Sequence, residues 1–563
     1  MEPYGACLEH LTDADRAAYL STLAPGSDID HRGTLISAQL LEQLLDALRD
    51  PTTAKPHIGD ANFHSAQFTN RVDFREARFD GDATFHSAQF TQADFSEAQF
   101  AGSAIFTMAQ ISSNGSFRSA QFAGSAIFSG TQFNGGAYFD GARFAGMAFF
   151  MDVQVSGNAY FNRTQFSSAA SPADLAGMLF ASGDVVFDGA RISGDVCFRK
   201  AQFETVSVLG PLVCEGLLDL SEAWFASPVT IKAAAVRVAC RRTRWNSTAS
   251  LRLRYSSVDL SDAVVESPLS IAARTVPFTA GFHTVRDVPE DGLVGGDPGV
   301  RMESLDGADA AHVSLHNVSL AGCRFSGTVH LDQLHLEGEC PLAPTPPGRR
   351  WTERRTLAEE HHWRAAQGQA GWTAAPDGAQ VVGPATLTPV YRALRKSFED
   401  SKNEPDAADF YYGEMEMRRY DRTRPLAERA LLAAYWALSG YGLRASRALG
   451  WLLGAMAATV LVMMLWGLPK ETPRTATAGR LVGQDIMLTT DKPDPANPSG
   501  PLRARVNSKR WEKSLRVVVN SVVFRSSGQD LTTTGTYAEM ASRVTEPVLL
   551  GLAALAIRSR VKR

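Results

Sequence analysis

The chain has 563 residues, 44% of them hydrophobic, and its 56 Lys and Arg against 60 Asp and Glu leave a formal net charge of -4. That near balance argues against a chain built around a polyelectrolyte partner. The six cysteines (7, 197, 214, 240, 323 and 340) show no CxxC and no paired spacing, which excludes a disulfide framework or a cysteine metal site and leaves cytosolic packing thiols.

Residues 1–57 are expected to form a helical cap. Asp13 to Leu20 reads as a short helix, and Leu35 to Leu48, with Leu40, Leu41, Leu44, Leu45 and Leu48, reads as an amphipathic helix whose apolar stripe must be buried. A cap is needed because the next segment is a rod with an open end.

From Ala61 the chain keeps a short period. Phe recurs at 63, 68, 74, 79, 85, 90, 95, 100, 106, 117, 122, 128, 133, 139, 144, 150, 161 and 166, and Ile111 and Val155 fill the two missing slots. Two positions before each slot stands Ala in 15 of 20 cases. Gaps of five and six residues fit neither a helix of period 3.6 nor a flat strand of period 2. They do fit a coil with four short sides, each large ring pointing inward beside its small Ala, and one circuit taking about 22 residues. Gly81, Gly102, Gly124, Gly135 and Gly146 stand at the six-residue gaps, where a positive φ is expected to open the corner.

Ala66-Gln67-Phe68, Ala88-Gln89-Phe90 and Ala98-Gln99-Phe100 resemble the pentapeptide-repeat family, and Ala61-Asn62-Phe63 and Ala93-Asp94-Phe95 match its fuller A-(D/N)-(L/F)-x-x form. The resemblance implies a mainly β fold, a right-handed quadrilateral β-helix (solenoid). The repeat-core residues are then Phe63, Phe68, Phe74, Phe79, Phe85, Phe90, Phe95, Phe100, Phe106, Phe117, Phe122, Phe128, Phe133, Phe139, Phe144 and Phe150. Some members of that family bind type II topoisomerases by imitating a DNA duplex. Such imitation needs an acidic surface, and between 61 and 166 this chain has eight acids against six bases. Decayed in-out-in triplets such as Val196-Cys197-Phe198, Val258-Asp259-Leu260 and Val313-Ser314-Leu315 extend the β-helix to about residue 340. This gives a β-helix over 58–340, with residues 276–307 expected as a loop thrown out of it.

Four prolines between Pro341 and Pro347 mark a boundary, and 341–387 is expected to be a linker with a short helix near Arg354 to Arg364. Residues 388–445 read as a cytoplasmic helical hairpin and a juxtamembrane helix. Acids 399, 400, 406, 409, 414 and 416 read as a solvated face rather than a metal site.

Residues 446–563 form an α-helical membrane region. Ala448 to Leu468 holds 21 uncharged residues, about 31 Å of helix, with Trp451 and Trp466 near its ends. Gly450 and Gly454 form a small-xxx-small pair suited to helix packing, including a homo-oligomer through the membrane helices. A second span is expected over 541–557, anchored by the basic tail up to Lys562 and Arg563. Arg418, Arg419, Arg422, Arg424, Arg429, Arg444 and Arg447 precede the first span, so the bulk of the chain is expected in the cytoplasm and the protein in the plasma membrane. Six bases between Arg503 and Arg516 resist that topology.

No P-loop, strand-borne GxGxxG, HExxH or GxSxG is present, so no enzyme, cofactor or metal is expected. Membrane lipid and an unidentified protein are the expected partners, with no nucleic acid. The function that follows is a membrane-anchored scaffold whose rod presents a protein-binding face. Two alternatives are a DNA-mimic topoisomerase-binding protein and a two-span ion channel regulated by the rod. In the channel, Thr532, Thr533, Thr534 and Gly535 would line the pore through a loose likeness to the T-V-G-Y-G filter of potassium channels.

Overall fold

The computed structural model describes residues 7–167, 185–280, 286–347, 353–470, 475–482, 485–491, 493–524 and 530–561. They form two compact units, residues 1–403 and 404–563.

The first unit is a four-sided parallel β-solenoid of about 12 turns. Along one side Ala61 pairs with Ala83, Ala83 with Ala104, Ala104 with Ala126 and Ala126 with Ala148, so a coil takes 21 or 22 residues. At ~4.8 Å per coil the stack is roughly 60 Å long. All 16 repeat-core Phe are at most 3% exposed. On one side Phe79, Phe100, Phe122, Phe144 and Phe166 stack with centroids 4.8–5.1 Å apart and planes within 7°. Rings on adjacent sides meet edge to face, as Phe106 and Phe117 do at 5.2 Å and 85°. Burying each ring contributes about 1.5–3 kcal/mol, which the neighbouring Ala permits by leaving room beside it.

The corner glycines act differently from expectation. None of Gly81, Gly102, Gly124, Gly135 and Gly146 has a positive φ. Left-handed residues occupy the alternating five-residue corners instead, at Ser65 (57°), Glu76 (58°), Ser87 (54°), Glu97 (61°), Met108 (57°), Ser119 (55°) and Gly130 (68°). At the six-residue corners the constraint is close approach: a Cβ on Gly102 would lie 2.5 Å from the Gly81 carbonyl oxygen. That approach lets each corner bond to the next. The Asp28 side chain accepts from the Asp60 amide, Asp60 from the Asp82 amide and Asp82 from the Ser103 amide, each at 2.8 Å.

The solenoid begins earlier than residue 58. Ile29–Asp30 pairs with Ala61–Asn62 and Leu35–Ile36 with Gln67–Phe68, so His31 and Ile36 hold the slots of Phe63 and Phe68 in a first coil. Helix α1 (Asp13–Thr22) precedes this coil. Helix α2 (Ala38–Ala47) replaces its third side, starting three residues after the expected Leu35, with Ser37 as N-cap and Leu40, Leu41, Leu44 and Leu45 buried.

Two further expectations change. Residues 300–304 are a strand of the solenoid, Ser257 pairing with Arg301, and the described residues of the preceding insertion pack back on it. Phe278, Val288 and Leu293 pack on Val213 and Ala234, and the buried Arg254–Glu290 pair, 2.8 Å apart, fastens it. The segment expected as a linker is also folded. After a two-strand hairpin (Ala343–Pro344 with Arg355–Thr356) come helix α3 (Ala358–Ala366) and helix α4 (Pro384–Asp400). The Ser397 hydroxyl donates to the Leu334 carbonyl, which ties α4 to the last coil.

The second unit contains helices α5 (Glu404–Tyr420), α6 (Leu426–Ser439) and α7 (Ala445–Val462, continuing as a wider turn to Gly467). A strand pair (Ala476–Val482 with Asp485–Asp491), the single turn α8 (Leu502–Arg505), α9 (Ser508–Phe524) and α10 (Thr533–Val561) follow. Ala445–Gly467 and Thr533–Arg558 are long and apolar enough to cross a membrane. The second therefore starts eight residues before the expected 541. Lys562 and Arg563 of the expected basic anchor lie outside the described residues.

Candidate functional site

The outer sides of the solenoid carry ladders of side chains in register. Gln67, Gln89, Gln110, Gln132 and Gln154 stand in register on one side, offering amides to whatever lies alongside. Ile105 and Ile127 are in register on another. Tyr138 and Tyr160 stack at 5.1 Å with the Arg118 guanidinium 4.3 Å over the first ring. Three acids set into the sides are paired with exposed arginines: Arg71 with Asp94 at 3.0 Å, Arg199 with Asp219 at 2.7 Å and Arg241 with Asp259 at 2.6 Å. With eight acids against six bases between 61 and 166, these coils do not present a polyanion.

Both ends of the stack are closed. Leu8, Leu11 and Leu40 form a buried cluster against Tyr19 at the first coil. At the last coils, adjacent glutamates of α3 do separate work. Glu359 accepts from the Phe325 and Ser326 amides at 2.5 and 3.0 Å, taking up backbone donors of a coil edge. Burial pushes its carboxyl above the usual range, against those hydrogen bonds. Glu360 is fully buried and accepts from Arg354 (2.7 and 2.8 Å), Arg364 (2.6 Å) and the Tyr391 hydroxyl. Burial alone would raise that carboxyl, but the two guanidinium charges and the hydrogen bonds from Arg354 and Tyr391 outweigh it and bring it down to about 2. The sequence reading placed Glu359 and Glu360 on a short helix in a linker; Tyr391, 31 residues beyond Glu360, is what makes the cluster.

Two of the acids expected on a solvated face are buried as well. Glu414 is 2% exposed and Glu416 is 5% exposed, paired with Arg418 at 3.4 Å and Arg419 at 2.7 Å. Among the described residues no three His, Cys, Asp or Glu come together as a metal site. All six cysteines are free, and burial pushes the Cys214, Cys240 and Cys323 thiols up, which makes them inert as nucleophiles.

In the second unit α7 and α10 pack together. The Thr459 hydroxyl donates to Glu546 at 2.9 Å, and the second Glu546 oxygen is buried without a partner. Gly450 and Gly454 seat no helix among the described residues, since a Cβ at either would meet nothing within 4 Å. The close crossing is made by Gly467 and Gly535, where a Cβ on Gly467 would lie 3.1 Å from the Gly535 Cα. The residues expected to line a pore are otherwise committed. The Thr532 hydroxyl donates to the Trp466 carbonyl at 2.7 Å and accepts from the Gly535 amide at 3.2 Å, while the Thr532 carbonyl accepts from the Thr536 amide at 2.9 Å. Thr533, Thr534 and Gly535 are the first turn of α10, so their carbonyls enter helix bonds instead of replacing an ion's water. Two of the six bases that resisted a two-span topology also have a task. Arg505 donates to the Leu465 carbonyl at 2.9 Å, and Arg510 donates to the Met464, Leu468 and Pro469 carbonyls at 2.9, 2.8 and 3.1 Å. They cap the C-terminal end of α7, where positive charge is favoured.

Comparison with protein families matches three overlapping stretches, residues 63–110, 85–132 and 117–165, to the family described as Pentapeptide repeats (9 copies). Residues 63–165 match pentapeptide repeats. The pentapeptide-repeat coils thus coincide with the Phe-stacked part of the solenoid, and the later coils, with Val, Leu and Cys in the slots, continue the same geometry beyond the match. No curated protein and no solved structure matches the chain.

Proposed function

We propose that this chain is a membrane-anchored pentapeptide-repeat scaffold, with the solenoid in the cytoplasm and its lateral sides offered to protein partners at the plasma membrane. The carrying observation is the pairing, in one chain, of a solenoid closed at both ends with two helices of membrane-crossing length and apolarity. Closed ends prevent coil-on-coil addition and leave the sides as the surface for association. Arginine-rich sequence ahead of α7 supports a cytoplasmic solenoid. The helical first turn at Thr532–Gly535 favours this reading over a channel, and the near balance of acids and bases between 61 and 166 favours it over a DNA mimic.

Alkaline carbonate extraction and protease access in intact cells test the anchor. Full-length protein is expected to stay in the membrane pellet with an N-terminal tag protected, and a chain lacking 404–563 to become soluble. Release of the full-length protein by carbonate, or digestion of the tag from outside, would refute it. For the scaffold role, a photo-crosslinking residue at Ile127 should give discrete protein adducts in cells and one at the buried Phe128 should give none; equal patterns would refute it.

A further inference from the structure

Helix α6 has two unlike sides. Leu432, Tyr435 and Trp436 pack with Tyr412, Met415 and Tyr441, and the Trp436 indole donates to the Tyr412 hydroxyl at 2.8 Å. The opposite side carries Leu426, Ala427, Ala430, Leu431, Ala433 and Ala434, all exposed, with Leu426 79% and Leu431 71% exposed. At about 100° per residue these six span an arc of about 160° that contains no charge. Glu428 and Arg429 fall outside it. A soluble surface helix turns such an arc toward a core, and this one has no core to face.

What covers it is indicated by its neighbours. Helix α7, the first candidate span, begins at Ala445, six positions after α6 ends at Ser439. The Trp451 indole, one turn and a half into α7, donates to the Ala437 carbonyl of α6 at 3.0 Å, so α6 is held at the entrance of that span. The flanking sequence supplies an excess of positive charge: residues 414–447 hold seven arginines against four acids. Arg418, Arg419 and Arg424 pair with Glu414, Glu416, Asp421 and Glu428, while Arg422 is exposed and makes no ion pair among the described residues. Apolar insertion beside a basic border is the chemistry of an anionic lipid surface. We infer that α6 lies in the plane of the membrane, with the arc from Leu426 to Ala434 inserted among the acyl chains of an anionic leaflet. This rests on the reading of α7 as a membrane span.

The test uses full-length protein carrying the environment-sensitive fluorescent amino acid Anap in place of Leu431, Glu428 or Leu453, reconstituted in vesicles of phosphatidylcholine and phosphatidylglycerol. All three side chains are partly or largely exposed, so the fold is not challenged by the replacement. Nitroxide-labelled lipid is the quencher. Strong loss of fluorescence at 431 and 453 with little at 428 is the expected result. Loss at 453 but none at 431, or equal loss at 431 and 428, overturns the in-plane helix and leaves the anchor standing. No loss at 431 or 453 removes the anchor and this inference with it.

Discussion

His31 offers the sharpest test of how the solenoid is built. It occupies the inward slot that Phe63 holds one coil later, fully buried, with its Nε2 3.4 Å from the Tyr19 hydroxyl and its Nδ1 without a partner. Burial lowers its pKa from 6.5 to about 4, outweighing the nearby Asp30 charge. A histidine with a depressed folded pKa binds its proton more readily when unfolded. The first coil is therefore fully stable above pH 6.5 and loses stability as the pH falls toward 4. A fall of that size corresponds to about 3 kcal/mol. His31→Phe places in this slot the residue found in the coils above and removes the titrating group. Local hydrogen exchange over residues 29–36 of the full-length protein, corrected for the intrinsic pH dependence of exchange, reads the effect without requiring the whole stack to unfold together. Protection in the wild type should drop between pH 6.5 and 4, by up to about a hundredfold, while His31→Phe stays flat over that window. A pH-independent wild type, or the same fall in both proteins, would refute a neutral histidine buried in a ring slot.

Other substitutions probe the remaining devices. Gly102→Ala should destabilise the solenoid by about 1–3 kcal/mol, because the new methyl meets the Gly81 carbonyl, and thermal melting would report it. Glu360→Gln should cost about 3–5 kcal/mol, because it leaves Arg354 and Arg364 buried without their countercharge, and exchange over residues 354–366 should rise. In the wild type that contribution is present above pH 4.5 and is lost as pH falls toward 2, since the Glu360 carboxyl is depressed in the fold. Thr532→Val should weaken the start of α10 by about 1 kcal/mol through the lost cap, measured as faster exchange of the Gly535 amide in detergent. Thr459→Val should cost the α7–α10 pair about 0.6 kcal/mol in a reversible unfolding assay in bicelles.

Much of this protein is legible without coordinates because its strongest signal is local. A ring every five or six residues with Ala two positions before it specifies inward slots, four sides and a coil of about 22 residues, since no other backbone brings those positions to one axis. Apolar runs near Ala448–Leu468 and Pro547–Ile557 likewise declare themselves by length and composition. Tertiary structure decided what depends on residues far apart. The corner glycines look like turn residues in sequence, and only the stacking of Gly102 on Gly81 shows that close approach, not φ, excludes a side chain there. His31 and Ile36 carry no repeat signature, because α2 replaces the next side and interrupts the period; their slots appear only through pairing with the following coil. Arg354, Glu359 and Glu360 read as a short helix in a linker until Tyr391 and the Phe325 amide surround them, for burial is a property of the assembled chain. The Thr-rich stretch at 532–535 resembled an ion filter by composition, and its role was set by the Gly467 crossing that makes it a helix cap. Periodicity is encoded within a single coil; caps, close approaches and buried charges exist only between segments, where sequence carries no distance.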